Sequence, residues 1–167
     1  STGCAGTNAL TGVLNAWQDG IPCIFVSGQH MLGETSNYTG LPLRTYGQQE
    51  ADIIPIVESV TKYAVMITDP EQIAVEMDKA FYMAQNGRKG PAWIDVPLDI
   101  QNMRVDPETL LRFSPPKKND ELLSKEDIQF VCQSLMSAER PVVLIGSGIR
   151  SANSAVELET FLKSSQI

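Results

Sequence analysis

The sequence predicts an α/β fold: a parallel sheet flanked by helices, followed by the start of a second α/β domain. Three observations carry this reading. Apolar runs at 23–26, 64–67, 92–96 and 142–145 are short, bounded by turn residues and do not alternate with polar residues. Strands of that kind are covered on both faces, as parallel strands are. Segments with helical spacing lie between and beside them, and strands alternating with helices imply parallel pairing. Finally, the stretch 98–123 holds Pro107, Pro115 and Pro116 with no sustained period, so it reads as a linker. The predicted division is therefore a first domain over 1–100, a linker over 101–120 and the beginning of a second domain over 121–167.

Each helix has its own signals. Leu10, Val13, Leu14 and Trp17 fall at i, i+3, i+4 and i+7 and form one apolar stripe. In the second helix Asp69 is the predicted N-cap, Pro70 sits in the first turn and Gln72 takes the capping-box position. Its inward stripe is Ile73, Met77, Phe81 and Ala84, and Gly87 closes it. Ser124 starts a third helix with Ile128, Val131, Cys132 and Leu135 inward, and Ser151 a fourth with Ala155, Leu158 and Leu162 inward. A shorter helix is expected over 50–58, weakened in its second half by Pro55.

Composition excludes several classes of function. With 43% hydrophobic and 20% charged residues, the chain can form a core and does not read as disordered. The formal net charge is −7 and the longest basic cluster is the pair Lys117-Lys118, so neither a nucleic-acid surface nor an anionic-membrane surface is expected. No apolar run approaches the ~20 residues that span a bilayer. The three cysteines, Cys4, Cys23 and Cys132, lack metal-ligand spacing and read as buried free thiols of a cytoplasmic protein. The chain opens on Ser1-Thr2-Gly3 and closes inside a predicted helix, so it reads as an internal piece of a longer molecule.

Two segments have the makings of a binding site. Gly3-Cys4-Ala5-Gly6-Thr7-Asn8 is a small-residue turn running into the first helix, where a ligand can approach the backbone and free N–H groups. By themselves the glycines favour a tight turn with no ligand. Ser27-Gly28-Gln29-His30 lies at the carboxyl end of the first strand, where open parallel sheets bind ligands. His30 reads either as a proton donor beside that end or as a solvated loop residue. Asp95 and Asp99 read as structural caps at the end of the third strand. Gly146-Ser147-Gly148 lacks the third glycine of a dinucleotide fingerprint and by itself means a tight turn.

Taken together the segments become specific. The run TGCAGTNALTGVLNAWQDGIPCIFVSGQ resembles the glycine turn and strand-end glutamine of the thiamine-diphosphate-dependent enzymes, in their acetolactate synthase branch. QEADIIPIVESVTKYAV, GRKGPAWIDVPLDIQ and RPVVLIGSGIR extend the resemblance in order along nearly the whole chain. It implies the second half of a pyrimidine-binding domain, a partial thiamine-diphosphate-binding fold, then the start of a Rossmann-like central domain. It further implies that Gly3, Cys4, Asn8 and Gln29 face thiamine diphosphate, with Gln29 acting in catalysis and Cys4 standing where the family has a proline. Gly146 and Gly148 correspond to the glycines that hold FAD in acetolactate synthases. The catalytic glutamate of the family lies upstream of Ser1, and Mg²⁺ binds in a further domain, so no metal ligand is assigned to this chain.

The implied activity is decarboxylation of a 2-keto acid such as pyruvate, then attack on an acceptor carbonyl, by a homo-oligomer (dimer or tetramer). The isolated piece is expected to be inactive. Gln48, Glu58 and Thr68 depart from the branch's usual phenylalanine, arginine and lysine, which puts the acetolactate product and the flavin in doubt. The rival reading is a non-catalytic nucleotide- or cofactor-binding protein of the same fold. An upstream glutamate and a downstream Mg²⁺ motif in the parent reading frame would separate the two.

Overall fold

The structure, a computed structural model, describes residues 3–117, 123–165 and 167. It divides into two compact units, Ser1–Pro115 and Pro116–Ile167. In the first, a 3-10 turn over Gly3–Ala9 runs into α1 (Leu10–Asp19), followed by β1 (Ile24–Gln29). A short α2 (Ser36–Thr39) and α3 (Ile53–Val57) lead to β2 (Tyr63–Met66). Then come α4 (Ile73–Gln85), β3 (Ala92–Pro97) and one turn of helix, α5 (Leu98–Gln101).

The three strands are parallel, in the order β1-β3-β2. The central strand, β3, explains the two-sided core. Its alternation sends Ala92 and Ile94 to one face, with Ala80 and Ala84 of α4, Leu32, Ile67 and Ile100. Trp93 goes to the other, with Val13 of α1 and Ile53 and Val57 of α3. Phe25 of β1 stacks on Trp93 with ring centroids 5.5 Å apart and planes 6° from parallel. The expectation that every strand is covered on both faces fails at the edge strand β1, where Val26 is 63% exposed.

The helices sit where the spacing puts them, and each expected stripe packs inward in part: Leu10 and Val13 of α1, and Ile73, Met77 and Ala84 of α4, lie in or against the core. In α1 the buried residues are Val13 and Ala16, whereas Leu14 and Trp17 stay half exposed. In α4 the buried residues are Ala74, Ala80 and Ala84, and Phe81 is 50% exposed. Small residues let the helix approach the sheet closely, so Ala80 is buried while Phe81 of the expected stripe turns partly outward. Asp69 accepts from the Glu71 N–H and caps a 3-10 turn (Pro70–Gln72) ahead of α4, while Gln72 gives no side-chain cap to the helix. Pro55 is tolerated because α3 begins only at Ile53. The proline then sits in the first turn, where an N–H would lack an intrahelical partner anyway.

Residues after α5 fold back on α4: Arg112 pairs with Asp78 at 2.8 Å, and Phe113 packs on Tyr82. Of the expected linker, 118–120 lie outside the described residues, as do 121 and 122 at the start of the second domain.

In the second unit α6 (Lys125–Ser137) starts at Ser124, whose Oγ accepts from the Asp127 N–H. Its stripe is not inward: Ile128, Val131 and Cys132 are exposed. The run 142–145 is not a strand, since no strand of this unit pairs with it among the described residues, and Val142 and Leu144 are 87% and 97% exposed. A strand needs a neighbour for its backbone groups. The expected helix from Ser151 is instead two pieces, α7 (Gly148–Ser151) and α8 (Ala155–Ser165), broken where Asn153 takes a left-handed φ of 55°. The thiols also differ from expectation: Cys4 and Cys132 are exposed and Cys23 is half-buried.

Candidate functional site

The carboxyl ends of β1 and β3 bring together most of the residues singled out in the first unit. Parallel pairing sets Ser27 beside Asp95 and Gln29 beside Pro97. Gln29 is 3% exposed, and its amide is held on three sides. Nε2 donates to the Ala51 carbonyl at 2.6 Å and to Asp95 Oδ2 at 3.1 Å, and Oε1 accepts from the His30 N–H at 3.0 Å. Both amide hydrogens are used, so only a lone pair on Oε1 is free.

Asp95 is the centre of this network and is 1% exposed. Ser27 Oγ donates to its Oδ1 at 2.5 Å and accepts from Trp93 Nε1 at 2.9 Å. Burial pushes the Asp95 carboxyl above the ordinary aspartate range. The hydrogen bonds from Ser27 and Gln29 draw it back in part, and nearby Asp52 adds to the rise. The expected capping role therefore belongs to Asp99 alone, which accepts from the Leu32 and Ile100 N–H groups. Asp95 instead fixes the glutamine. The sequence carried a signal for this, since an acid inside the apolar run Ala92-Trp93-Ile94-Asp95-Val96 must find partners when buried.

The glycine turn closes over this end of the sheet. Gly3 is buried with φ at +51°, and a Cβ there would fall 1.9 Å from the Gln49 carbonyl oxygen and 3.1 Å from Gln29 Oε1. Cys4 N–H donates to that same Gln49 oxygen at 2.9 Å. Gln49 adopts a left-handed φ of 62° to make the contact, a role that nothing in its type announces. Its segment is anchored by buried Glu50, whose carboxylate accepts from the Ser36 N–H, the Ser36 hydroxyl and the Tyr46 N–H. Burial alone would raise the Glu50 carboxyl; together these bonds and one from Gly47 hold it below its usual range.

Other residues lie further out. Asn8 is exposed at the end of the turn. His30 is half-buried, with Nδ1 2.6 Å from Glu34 Oε2, and its ring lies against Gly47, where a Cβ would come within 2.8 Å of Cγ. It is therefore tied to Glu34 while remaining partly exposed to solvent. Beside Gln29 a cavity of about 360 Å³ lies at the carboxyl ends of β1 and β3, lined in part by Ser27, Gln29, Val96 and Gln101. In the second unit Gly146 and Gly148 are exposed, and a Cβ on either would meet nothing within 4 Å. They form no cradle that glycine is needed to open.

Comparison with known proteins agrees with the motifs. Residues 1–56 match the family described as "Thiamine pyrophosphate enzyme, N-terminal TPP binding domain". The chain is 32% identical over 167 residues to the acetolactate synthase large subunit of Buchnera aphidicola subsp. Acyrthosiphon pisum, covering 96% of this chain and 27% of the relative. It is 32% identical to the acetolactate synthase isozyme 3 large subunit of Escherichia coli K12, over 95% of this chain and 27% of that one. A glyoxylate carboligase of Escherichia coli O157:H7 is 29% identical, over 96% of this chain and 26% of its own length. The chain thus spans about a quarter of the length of the curated relatives it matches. It is similar along nearly its whole length to acetolactate synthase large subunits, and its first 56 residues match the N-terminal TPP binding domain of thiamine pyrophosphate enzymes.

Proposed function

We propose that the protein carrying this chain is a thiamine-diphosphate-dependent carboligase or decarboxylase of 2-keto acids such as pyruvate, and that this chain supplies part of the wall against the aminopyrimidine. One observation carries the reading: a turn that excludes any side chain at Gly3 lies against the immobilised amide of Gln29. A flat heteroaromatic ring with polar edges suits a small-residue floor beside a fixed amide. When bound, thiamine diphosphate supplies the electron sink for decarboxylation, and the protein supplies orientation and electrostatics. In this reading Gly3 and Cys4 form the floor, Asn8 holds the turn's outer end, and Gln29 offers Oε1 toward the reacting groups. The diphosphate and Mg²⁺ are held by residues outside this chain, in a cytoplasmic homo-oligomer. The division into a pyrimidine-binding domain (1–100), a linker (101–120) and the start of a central domain (121–167) belongs to the same proposal. FAD lacks comparable support, because the open surroundings of Gly146 and Gly148 offer it no fitted site.

The test compares Asn8→Ala and Gln29→Ala in the intact protein, with product formed from pyruvate as readout. The Asn8 defect is expected to be partly relieved by excess thiamine diphosphate. The Gln29 defect is expected to persist at saturating cofactor with cofactor affinity near wild type. Equal loss of cofactor affinity in both variants, at unchanged melting temperature, would refute these roles.

A further inference from the structure

We propose that a second cavity, at the amino ends of β2 and β3, binds a small organic anion that carries a flat ring. Its volume is about 560 Å³, within the ~300–1,000 Å³ of small-molecule sites. It is lined by Trp17, Gln18, Lys62, Asn86, Arg88 and Lys89, together with the Gly87 backbone. Lys62 immediately precedes β2, and Gly90 and Pro91 lead into β3, so this site lies at the opposite end of the strands from Gln29. It does not rest on the function proposed above.

Charge is the first argument. Three cations converge on one cavity whose lining has no carboxylate, in a chain of net charge −7. None of the three forms an ion pair among the described residues. Lys62 is half-buried, and its ammonium donates to the Asn86 carbonyl. Desolvation presses its pKa down, a cost that an anion in the cavity would offset. Arg88 adds a guanidinium suited to paired hydrogen bonds with a carboxylate or phosphate.

Shape is the second. Gly90 lies between the Lys62 stem and the Trp17 ring: a Cβ there would be 3.2 Å from Lys62 Cγ and Cδ and 3.6 Å from Trp17 Cε3. Glycine lets the two approach, so the indole and the cations border one space. Trp17 is 40% exposed, leaving ring surface for stacking. Gly87, with φ at +62°, makes the turn that presents Arg88 and Lys89. A ligand with a ring for the indole and an acid for the cations uses all of these features.

The experiment is calorimetric titration of the intact protein with AMP, benzoate and indole-3-acetate, with adenosine and inorganic phosphate as single-feature controls. At least one ring-bearing anion is expected to bind at one site per chain and to weaken as salt rises. The double variant Arg88→Gln, Lys89→Gln is expected to weaken it about tenfold, ~1.4 kcal/mol, as is Trp17→Leu. Circular dichroism and melting temperature check that both variants remain folded. Absence of saturable binding by all three anions at millimolar concentration overturns the proposal. So does an unchanged Kd in both folded variants, or phosphate alone binding as tightly as the best ring-bearing anion.

Discussion

Gln29 Nε2 donates to Asp95 Oδ2 at 3.1 Å, so the amide ending β1 and the acid inside β3 hold each other in one geometry. Both are nearly inaccessible to water, so neither can exchange its partner for solvent without opening the sheet. The glutamine is therefore a fixed fixture of the site and not an adaptable arm.

Asp95→Ala leaves Ser27 and Gln29 each short of a buried acceptor and is expected to lower stability by about 2–4 kcal/mol. Asp95→Asn keeps the shape and one acceptor, so its loss is expected to be smaller. The pH dependence separates charge from shape. Because the folded-state pKa lies above the ordinary 3.8, the unfolded chain releases the proton first, and this group's stabilising contribution falls as pH rises through that window. Asparagine has no such fall. The stability gap between wild type and Asp95→Asn should therefore narrow from pH 4 to pH 7 in urea unfolding. A gap that widens over that range would contradict the raised pKa.

At Gly3 the expected outcome is a specific loss. Gly3→Ala places a methyl group 1.9 Å from the Gln49 carbonyl oxygen and imposes a left-handed φ of +51° on a residue with a side chain. The conformation alone costs about 1–2 kcal/mol, and the clash must move the turn or the Gln49 segment. In the intact protein the measurable result is a raised thiamine-diphosphate requirement with a lowered melting temperature. Wild-type cofactor affinity in Gly3→Ala would remove this turn from the proposed floor.

Much of this was legible in the sequence, and what was not has physical causes. Parallel strands and the capping roles of Asp69 and Ser124 follow from local signals, whereas the pairing of the glycine turn with Gln29 came only from the family resemblance. The helix faces did not follow in full, because Ala80 is buried and Phe81 left half exposed only once the sheet is there to approach. The strand expected over 142–145 depended on a partner that its apolar residues cannot supply by themselves. Gln49 was invisible for a different reason: its role is carried by a backbone carbonyl and a positive φ, which its residue type does not encode.

The two strands that frame the site should differ sharply in their tolerance of truncation. Ile94 in β3 is fully buried against Ala80, Ala84 and Ile67, whereas Val26 in β1 is 63% exposed. Ile94→Ala is expected to cost about 2–5 kcal/mol through lost transfer energy and a cavity. Val26→Ala should stay within ~0.5 kcal/mol. Chemical denaturation of the 167-residue chain measures both. Similar costs would mean that the outer face of β1 is covered, for instance by another copy of the chain.

Glu50 gives the clearest pH prediction for the loop that carries Gln49. Burial would raise its carboxyl, but the bonds from Ser36, Tyr46 and Gly47 outweigh that and hold its pKa below the usual 4.5. The sign is therefore opposite to that of Asp95. The stabilisation is fully present above the unfolded value and is lost as pH falls through the lower folded value. Glu50→Gln retains one acceptor for Ser36 but turns an amide N–H toward the Tyr46 N–H, two donors facing each other. A loss of about 1–3 kcal/mol at pH 7 is expected, shrinking as pH falls below 4.5 toward the depressed folded value and the wild-type carboxylate is protonated. Because Gln49 supplies the carbonyl that receives Cys4 N–H, the same variant should also loosen the glycine turn. Hydrogen exchange at the Cys4 amide reports this directly: its protection relative to the intrinsic rate at each pH should fall in Glu50→Gln at neutral pH, and in the wild type only on acidification. Unchanged Cys4 protection in a folded Glu50→Gln variant would show that the turn stands without the loop.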